Sequence, residues 1–218
     1  MIIAIDGPAG SGKGTVAKII AKKSNSTYID TGAMYRCVAL EAINKKVKIE
    51  EKEKIQKLLD YINIDLKQEN GKLKIYLNNK DVSNEIRTEE ISKLVSSYSA
   101  IDIVRDKMVK LQREMGASKD IVMEGRDIGT VVFPNADVKI YLDATPEERA
   151  KRRFKQNQEK GINSNYKGIL SEIKIRDERD MTREISPLKK ASDAVYIDST
   201  NLSIDEVVYK ILEIANIK

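Results

Sequence analysis

Short apolar runs alternate with longer amphipathic segments along the chain. Five of the short runs are rich in strand-forming residues, and we predict a strand in each: Ile2–Asp6, Thr27–Asp30, Ile121–Gly125, Val138–Asp143 and Ala194–Asp198. Because these runs are apolar throughout and helical segments separate them, they predict an α/β fold with a five-stranded parallel sheet and helices on both faces.

The amphipathic segments predict helices between and after these strands. Apolar residues recur at helical spacing near Gly14–Lys23, Ala33–Asn44, Glu89–Tyr98, Ile103–Met115, Pro146–Lys160, Lys167–Asp180 and Ile204–Ile214. Two of these helices begin with the signature of a capping box, Thr145 with Glu148 and Ser203 with Glu206.

One polar segment breaks the alternation. Residues 62–77 form two alternating runs on either side of Asn70-Gly71, a dipeptide typical of a tight hairpin turn. The segment is rich in Lys and Glu, so we expect a small β-containing insertion over about residues 46–87. At 218 residues and 41% hydrophobic content, the chain can bury one core, so we expect residues 1–218 to form a single domain that carries this insertion.

Composition excludes several kinds of catalytic and metal site. The chain has no histidine, which excludes Ser-His and Cys-His nucleophile pairs and His-ligated metals. The single cysteine, Cys37, cannot form an internal disulfide, and its apolar helical surroundings predict a packing role. The net charge of +5 is mild and dispersed, so it suits an enzyme for phosphorylated metabolites as well as it suits nucleic-acid binding.

The amino terminus lacks the features of a secretory signal. Met1 leads directly into the first predicted strand, with no basic region or cleavage site. No apolar run approaches the ~20 residues of a membrane span. We therefore expect a soluble, cytoplasmic protein with no membrane partner.

A glycine-rich loop joins the first predicted strand to the first predicted helix. Residues 7–15 read GPAGSGKGT, with the Gly-x4-Gly-Lys spacing of a phosphate-binding loop. Glycines let successive N–H groups converge on phosphate oxygens, and Lys13 neutralises charge. The alternative, a glycine-rich turn with an unrelated lysine, is disfavoured by the strand–loop–helix context. The predicted nucleotide contacts are Gly7, Pro8, Ala9, Gly10, Ser11, Gly12, Lys13, Gly14 and Thr15.

One position of this loop departs from the general pattern. Gly14 stands where Ser or Thr usually ligates Mg²⁺, and Thr15 follows it. The run GKGT is similar to that of nucleoside monophosphate kinases. Thr15 and Asp30 are therefore the candidate Mg²⁺ contacts, either directly or through water.

The motifs of a guanine-nucleotide switch are missing. Neither Asp-x-x-Gly nor Asn-Lys-x-Asp occurs, since Asn79-Lys80-Asp81 has its aspartate one place too early. We therefore favour a kinase, in which the nucleotide is a reagent, over a switch.

Polar groups directly follow three of the predicted strands. Gly7 follows the first, DTGAMYR (residues 30–36) the second, and EGRDIGT (residues 124–130) the third. Because ligands of open α/β sheets bind outside the carboxyl ends of the strands, these groups should line one crevice.

A charged run lies in the segment EIKIRDERDMTREISP, residues 172–187. On a helical projection Arg176 and Asp180 continue an apolar stripe, and Arg183 lies near its edge. Asp177 falls on the same face, so periodicity does not choose between the two aspartates, whereas Glu178 points away. Charges are seldom buried without partners, so a functional role is favoured over a solvated helix face.

Four motifs in this order resemble those of the bacterial cytidylate kinase family: GPAGSGKGT, IDTGAMYR, EGRDIGTVVFP and IRDERDMTR. The resemblance runs over nearly the whole chain. It implies a P-loop NTPase core, a nucleoside-monophosphate-binding part enlarged by the insertion, and a short helical lid over about residues 150–175. It also implies phosphoryl transfer from ATP to CMP or dCMP, with Mg²⁺, in pyrimidine nucleotide metabolism.

The resemblance also implies which residues bind the acceptor phosphate. These are Arg36, Arg126 and Arg183, in a pocket lined by Thr31 and Tyr35. Lys13 would act in catalysis together with Arg126 and Arg183.

Base and sugar contacts are implied in the same way. The residues that read the cytosine are Ser96, Arg105 and Asp127, although the run SSYS offers neighbouring hydroxyls at Ser97 and Ser99. Arg176 and Asp180 hold the sugar, which is the choice that the resemblance makes over Asp177. A carboxylate such as Asp127 accepts from the N4 amino group of cytosine and repels the uracil oxygen there, a discrimination of ~1–3 kcal/mol, so UMP should be a poorer substrate.

The absence of histidine suits this reaction. The second pKa of a nucleoside monophosphate is near ~6, so its phosphate is already largely ionised at neutral pH and no general base is required. Arginine forks suit the remaining task, which is to hold two anions in line and stabilise the charge of the transition state.

The predicted helix from Pro146 carries Arg149, Arg152, Arg153 and Gln156 along one side. This spacing fits an ordinary basic surface as well as it fits a lid in which Arg152 and Arg153 close on ATP and exclude water.

Three functions stay open at this level. The first is a (d)CMP kinase, the second a kinase for AMP, UMP or a non-nucleotide metabolite, and the third a nucleotide-dependent binding or assembly protein that hydrolyses ATP slowly. Arg105 together with Asp127 would be unexpected in a purine site. We expect small-molecule substrates, no nucleic-acid partner and a monomer.

Overall fold

The computed structural model describes residues 1–69, 71–117 and 120–217. These residues form two compact units, the first made of Met1–Ile29 and Gly116–Lys218 and the second of Asp30–Met115. In chain order the elements are β1 (Ile2–Asp6), α1 (Lys13–Lys23), β2 (Thr27–Asp30), α2 (Thr31–Asn44), α3 (Lys52–Tyr61), β3 (Ile64–Glu69), β4 (Lys72–Leu77), β5 (Lys80–Asp81), α4 (Glu89–Tyr98), α5 (Asp102–Gly116), β6 (Ile121–Gly125), β7 (Val138–Asp143), α6 (Pro146–Glu159), α7 (Tyr166–Thr182), β8 (Val195–Asp198) and α8 (Ile204–Ile214).

A five-stranded parallel sheet in the order β2-β6-β1-β7-β8, with helices on both faces, organises the first unit. The central strand β1 pairs with β6 and β7, and this register sets Asp6 opposite Gly125 and Tyr141 at the carboxyl edge. Ile3 and Ile5 are fully buried because the central strand is covered on both faces. The predicted sheet is confirmed, and only its last strand begins one residue later than expected, at Val195.

Of the two predicted capping boxes, the one at α8 is complete and the one at α6 is only half formed. Ser203 and Glu206 form a complete capping box. At α6 the Thr145 hydroxyl accepts the N–H of Glu148 at 3.3 Å, but the Glu148 carboxylate accepts from Arg152 Nε at 3.0 Å. The second half of that predicted box is therefore wrong, because an i,i+4 ion pair takes the carboxylate.

The second unit contains a three-stranded antiparallel sheet, β3-β4-β5, and helices that include α2, α3 and α4. The predicted hairpin is present, with Ile64 opposite Leu77 and Glu69 opposite Lys72. Of the predicted Asn70-Gly71 turn, Asn70 lies outside the described residues.

Helix α3 was not predicted. It buries Ile55, Leu58 and Leu59, which have the i, i+3, i+4 spacing of one helical face. The signal was therefore present in the sequence, within a segment whose Lys and Glu content suggested only an insertion.

Cys37 is fully buried in α2, and this burial raises the pKa of its thiol to about 12. Its predicted packing role is confirmed. No helix within the described ranges combines the length and apolar character needed to cross a bilayer.

Candidate active site

The phosphate-binding loop runs from the end of β1 to the start of α1. Gly7 has φ 151°, and a Cβ at this position would lie 2.0 Å from the Leu142 carbonyl oxygen. Gly12, at the start of α1, has φ 94°. Only glycine is tolerated at the first position and is strongly favoured at the second, which explains the composition of the loop.

Lys13 is buried at the base of this loop. Its ammonium donates to the Pro8 carbonyl oxygen at 2.7 Å. Burial and the nearby charge of Arg126 lower the pKa of Lys13 to about 7, against the opposing charges of Glu124 and Asp6. Arg126 is therefore one of the charges that act on the loop lysine within the first unit.

Arg126, Arg176 and Asp180 form one charged cluster in the first unit. Arg126 Nε lies 2.9 Å from Asp180 Oδ2, and Arg176 Nε lies 3.9 Å from the same oxygen. Burial alone would raise the pKa of Asp180, but the charges of Arg126 and Arg176 outweigh burial and hold that pKa below its usual range. The structure thus brings together three of the predicted site residues.

Asp127 and Arg183 form a second buried pair. Arg183 Nη2 lies 3.9 Å from Asp127 Oδ1. Arg183 Nε also donates to the Ser186 carbonyl oxygen at 2.7 Å, which anchors the guanidinium at the carboxyl end of α7. The guanidinium is therefore held in place by the chain that follows α7.

Asp177 has a different partner from Asp180. It accepts two hydrogen bonds from Arg149, from Nη1 at 3.1 Å and from Nη2 at 2.6 Å. Arg149 is only 2% exposed and also donates to the carbonyl oxygens of Ala144 and Ala9, at 2.8 Å and 3.1 Å. Both aspartates of the predicted face are buried, and each holds its own arginine.

The two predicted lid arginines differ in their surroundings. Arg152 donates to the Ser199 carbonyl oxygen at 2.6 Å and to Glu148 at 3.0 Å, whereas Arg153 is exposed. Arg152 is therefore fixed to the end of β8 in this conformation, and Arg153 lies at the surface.

Glu124 is the first residue of the run 124–130 that is expected to line the crevice, and no individual role was predicted for it. Its Oε1 lies 2.9 Å from the position of a Cβ built on Gly14, and it accepts from the Tyr28 hydroxyl at 3.2 Å. The space that a Ser or Thr side chain would take at position 14 is thus filled by a carboxylate. The available signal was the place of Glu124 at the carboxyl end of β6.

Five predicted acceptor-site residues lie in the second unit: Thr31, Tyr35, Arg36, Ser96 and Arg105. Arg36 donates to the Ser92 hydroxyl at 2.8 Å. The guanidinium of Arg105 lies 5.3 Å from the ring centroid of Tyr35, and Arg105 donates to the Ser99 carbonyl oxygen at 3.1 Å. This arrangement gives the unit two ordered guanidinium groups.

Ser96 is the buried serine of the SSYS run whose hydroxyl is not used locally. It is 6% exposed, and among the described residues its Oγ has no hydrogen-bond partner. Ser99 Oγ, in contrast, donates to the Ser96 carbonyl oxygen at 3.1 Å. A buried hydroxyl of this kind is the type of group that a bound ligand satisfies.

Asp30 caps α2, and Thr31 is buried beside it in the chain. Asp30 Oδ1 accepts the Ala33 N–H at 2.9 Å, and Oδ2 lies 3.6 Å from Arg87. Thr15, in the first unit, is exposed in the first turn of α1. Its hydroxyl and the Asp30 carboxylate are hard oxygen donors of the kind that Mg²⁺ prefers.

A model of the cytidylate kinase family matches residues 3–217 of the chain. The chain belongs to this family. It is 56% identical over 214 residues to the cytidylate kinase of Lactobacillus johnsonii, covering 98% of this chain and 93% of that protein. It is 51% identical over 211 residues to the cytidylate kinase of Bacillus subtilis, covering 97% of this chain and 94% of that protein.

Solved structures of low identity share the fold. The chain is similar to a shikimate kinase from Bacteroides thetaiotaomicron, with a TM-score of 0.50 and 15% identity over 99% of this chain and 98% of that chain. An uncharacterized protein from Eubacterium ventriosum matches with a TM-score of 0.54 and 14% identity, over 100% of this chain and 99% of that chain. The predicted P-loop core is thereby confirmed.

Proposed function

We propose that the protein transfers a phosphoryl group from ATP to CMP and dCMP, giving ADP and CDP or dCDP. The family match over residues 3–217 supports this activity. The structural observation that carries it is the glycine-rich loop with the Lys13 ammonium buried on it, because a positive charge held at such a loop suits charge that develops between two phosphates.

The donor phosphates would bind to the loop from Gly7 to Thr15, with Lys13 neutralising their charge. Thr15 and Asp30 would hold the magnesium ion in this proposal, and Glu124, beside Gly14, is an additional oxygen donor in the first unit. When bound, Mg²⁺ would neutralise charge on the transferred phosphate.

The acceptor phosphate would be held by Arg36, Arg126 and Arg183, with Thr31 and Tyr35 lining the pocket. Lys13, Arg126 and Arg183 would stabilise the charge on the transferred group. The Asp180 carboxylate that bonds Arg126 would fix the orientation of that guanidinium, which favours a two-point grip on phosphate.

The base would be read by Asp127, Arg105 and Ser96, and the sugar by Arg176 and Asp180. Asp127 accepts from the cytosine amino group in this proposal. The buried Ser96 hydroxyl supports a role for this serine rather than Ser99, whose hydroxyl bonds the backbone.

Two further parts of the chain complete the proposal. The insertion at about residues 46–87 would enlarge the acceptor-binding part. The lid, about residues 150–175, would close Arg152 and Arg153 over ATP and exclude water, which requires Arg152 to exchange its Ser199 contact for the nucleotide. We expect the protein to act as a cytoplasmic monomer with no nucleic-acid partner.

The activity is tested by coupled ADP release with CMP, dCMP, UMP, AMP and GMP as acceptors. CMP and dCMP should stimulate turnover well above the background, UMP less, and the purine nucleotides least. Lys13→Ala should abolish the stimulation, while Lys22→Ala, on the exposed face of α1, should keep it. ADP release that does not respond to CMP would overturn the proposal and favour slow ATP hydrolysis.

A further inference from the structure

Asp6, the last residue of β1, has a buried carboxylate that bonds a distant part of the chain. It is 5% exposed and accepts the backbone N–H groups of Ile128 at 2.8 Å and Gly129 at 2.7 Å. No role for this residue follows from the sequence alone. These contacts connect the strand before the phosphate loop to the turn that follows Arg126 and Asp127.

The turn itself is unusual. It is a wide, π-type turn over Ile128–Val132, in which the Phe133 N–H bonds the Ile128 carbonyl oxygen at 2.7 Å. The first N–H groups of a helical turn have no partner within the turn and need a cap. An aspartate at the preceding position usually supplies that cap with its own side chain.

Asp127 occupies that capping position but does not cap the turn with its side chain. Asp6 bonds the N–H groups of Ile128 and Gly129 instead, and the Asp127 carboxylate lies 3.9 Å from Arg183. Capping would direct one Asp127 oxygen at the backbone of its own turn rather than at a ligand.

We propose that Asp6 is a positioning residue for base recognition, because it caps the 128–132 turn in place of Asp127 and so leaves the Asp127 carboxylate to read the cytosine. This inference rests on the proposed function, in which Asp127 selects CMP over UMP. Asp6 touches no reacting atom in this role.

The packing around Asp6 leaves little freedom for another arrangement. A Cβ on Gly129 would lie 3.4 Å from Asp6 Oδ2 and 3.2 Å from the Lys139 side chain. The Lys139 ammonium is engaged by Asp193 at 2.7 Å. The turn is thus held between Asp6 and Lys139.

The surroundings of Asp6 disfavour the charged form of its carboxylate. Burial raises the pKa of Asp6 to about 6, and the charge of Asp127 adds to that effect, whereas the two backbone N–H bonds and Lys13 oppose it. A position that served only packing would be better filled by an apolar side chain.

The inference is tested by Asp6→Asn, which keeps the size of the side chain but replaces one accepting oxygen with a donor. We expect the ratio of kcat/KM for CMP to that for UMP to fall about tenfold, while the KM for ATP changes less than about twofold. A folded variant with an unchanged ratio would overturn the inference.

The matched control is Asp143→Asn. Asp143 also ends a strand of the sheet, but its carboxylate accepts the N–H of Ala144 at 2.8 Å. In the Asp143→Asn variant, the ratio of kcat/KM for CMP to that for UMP should stay within about twofold of the wild-type value. An equal fall in Asp143→Asn would mean that any lost carboxylate at this edge has the effect, which would also overturn the inference.

A double-mutant cycle separates the inference from the proposed function. If Asp6 acts through Asp127, Asp6→Asn should not lower the ratio further in an Asp127→Ala background. Independent, additive losses would overturn the inference and leave the proposed function intact. If the wild-type protein itself does not prefer CMP, the proposed function fails first.

The wild-type protein offers a second test if Asp6→Asn does not fold. Protonation of Asp6 converts one acceptor into a donor, as the Asn substitution does. Between pH 5 and 8, the amide NMR signals of Ile128 and Gly129 should titrate together, and the CMP-to-UMP ratio should fall with them toward low pH. Because both substrates carry the same phosphate, its own titration cancels in this ratio. If the amide signals of Ile128 and Gly129 titrate while the CMP-to-UMP ratio stays constant over this pH range, the inference is overturned.

Discussion

Arg149 and Asp177 form a buried two-point ion pair, with N–O distances of 3.1 Å and 2.6 Å. Arg149 also donates to the Ala9 carbonyl oxygen, so the pair connects helices α6 and α7 to the phosphate loop within the first unit. Planar guanidinium–carboxylate pairing fixes both side chains in orientation as well as in distance. We infer that this pair fixes α6 at Arg149 and α7 at Asp177 to the loop, on either side of the proposed lid at about residues 150–175.

Asp177→Ala should therefore destabilise the protein strongly. It leaves the Arg149 guanidinium buried without its carboxylate, which typically costs about 3–5 kcal/mol. Glu178→Ala removes the same charge from the next, exposed position and should change stability by less than about 0.5 kcal/mol. Urea unfolding of the two variants measures the difference, and equal stabilities would show that the pair contributes little.

Arg183→Ala should lower turnover with CMP about 10²–10³-fold, because one preorganised charge that stabilises the transferred phosphate is lost. The exposed Arg179→Ala, on the same helix, is the control and should keep near-normal turnover. Steady-state kinetics with circular dichroism for folding gives the comparison. Near-normal kcat in a folded Arg183→Ala protein would remove this residue from the catalytic set.

Ser96→Ala should raise the KM for CMP about three- to tenfold, the loss expected for one hydrogen bond of about 0.5–1.5 kcal/mol. Ser97→Ala should have little effect, since Ser96 is the more deeply buried hydroxyl. The KM values for CMP and ATP, measured for both variants, test this assignment. A larger effect from Ser97→Ala would transfer the role to the neighbouring serine.

The raised pKa of Asp6 predicts how stability depends on pH. Its value of about 6 lies above the ordinary 3.8, so between these values the folded state holds a proton that the unfolded chain releases. The free energy of unfolding should therefore fall as pH rises from ~4 to ~6, by up to about 3 kcal/mol from this group.

The asparagine of the Asp6→Asn variant cannot titrate, so this variant should lack the pH-dependent contribution of Asp6 to the free energy of unfolding. The measurement is urea unfolding of both proteins at pH 4, 5, 6 and 7, with the comparison made on the change with pH rather than on the absolute stability. Parallel pH profiles for wild type and variant would contradict the assigned pKa.

Much of the fold is determined locally by the sequence. The strands β1, β2, β6 and β7 have the predicted bounds because each is a short apolar run that ends at polar or glycine-containing positions. The glycine-rich loop was recognisable from its spacing alone, because Gly7 and Gly12 meet steric demands that few other sequences satisfy. The motifs that follow the strands also identified the family.

Two elements were not predicted from local sequence patterns. Helix α3 has a correctly spaced apolar face, but its three buried residues stand among Lys and Glu. The π-type turn after Asp127 has no recognisable pattern in the sequence, since a distant carboxylate bonds its first N–H groups.

The sequence by itself determined the parallel sheet, the phosphate loop and the set of charged residues available to the site. Only the tertiary structure decided which partners those charges meet: Arg149 pairs with Asp177 across 28 residues, Arg126 pairs with Asp180 across 54, and the Asp6 carboxylate accepts the backbone N–H of Ile128 across 122. Helical and strand periodicities report which residues share a face within a few positions. They carry no information on which distant side chain meets that face, because packing of the whole chain sets that choice.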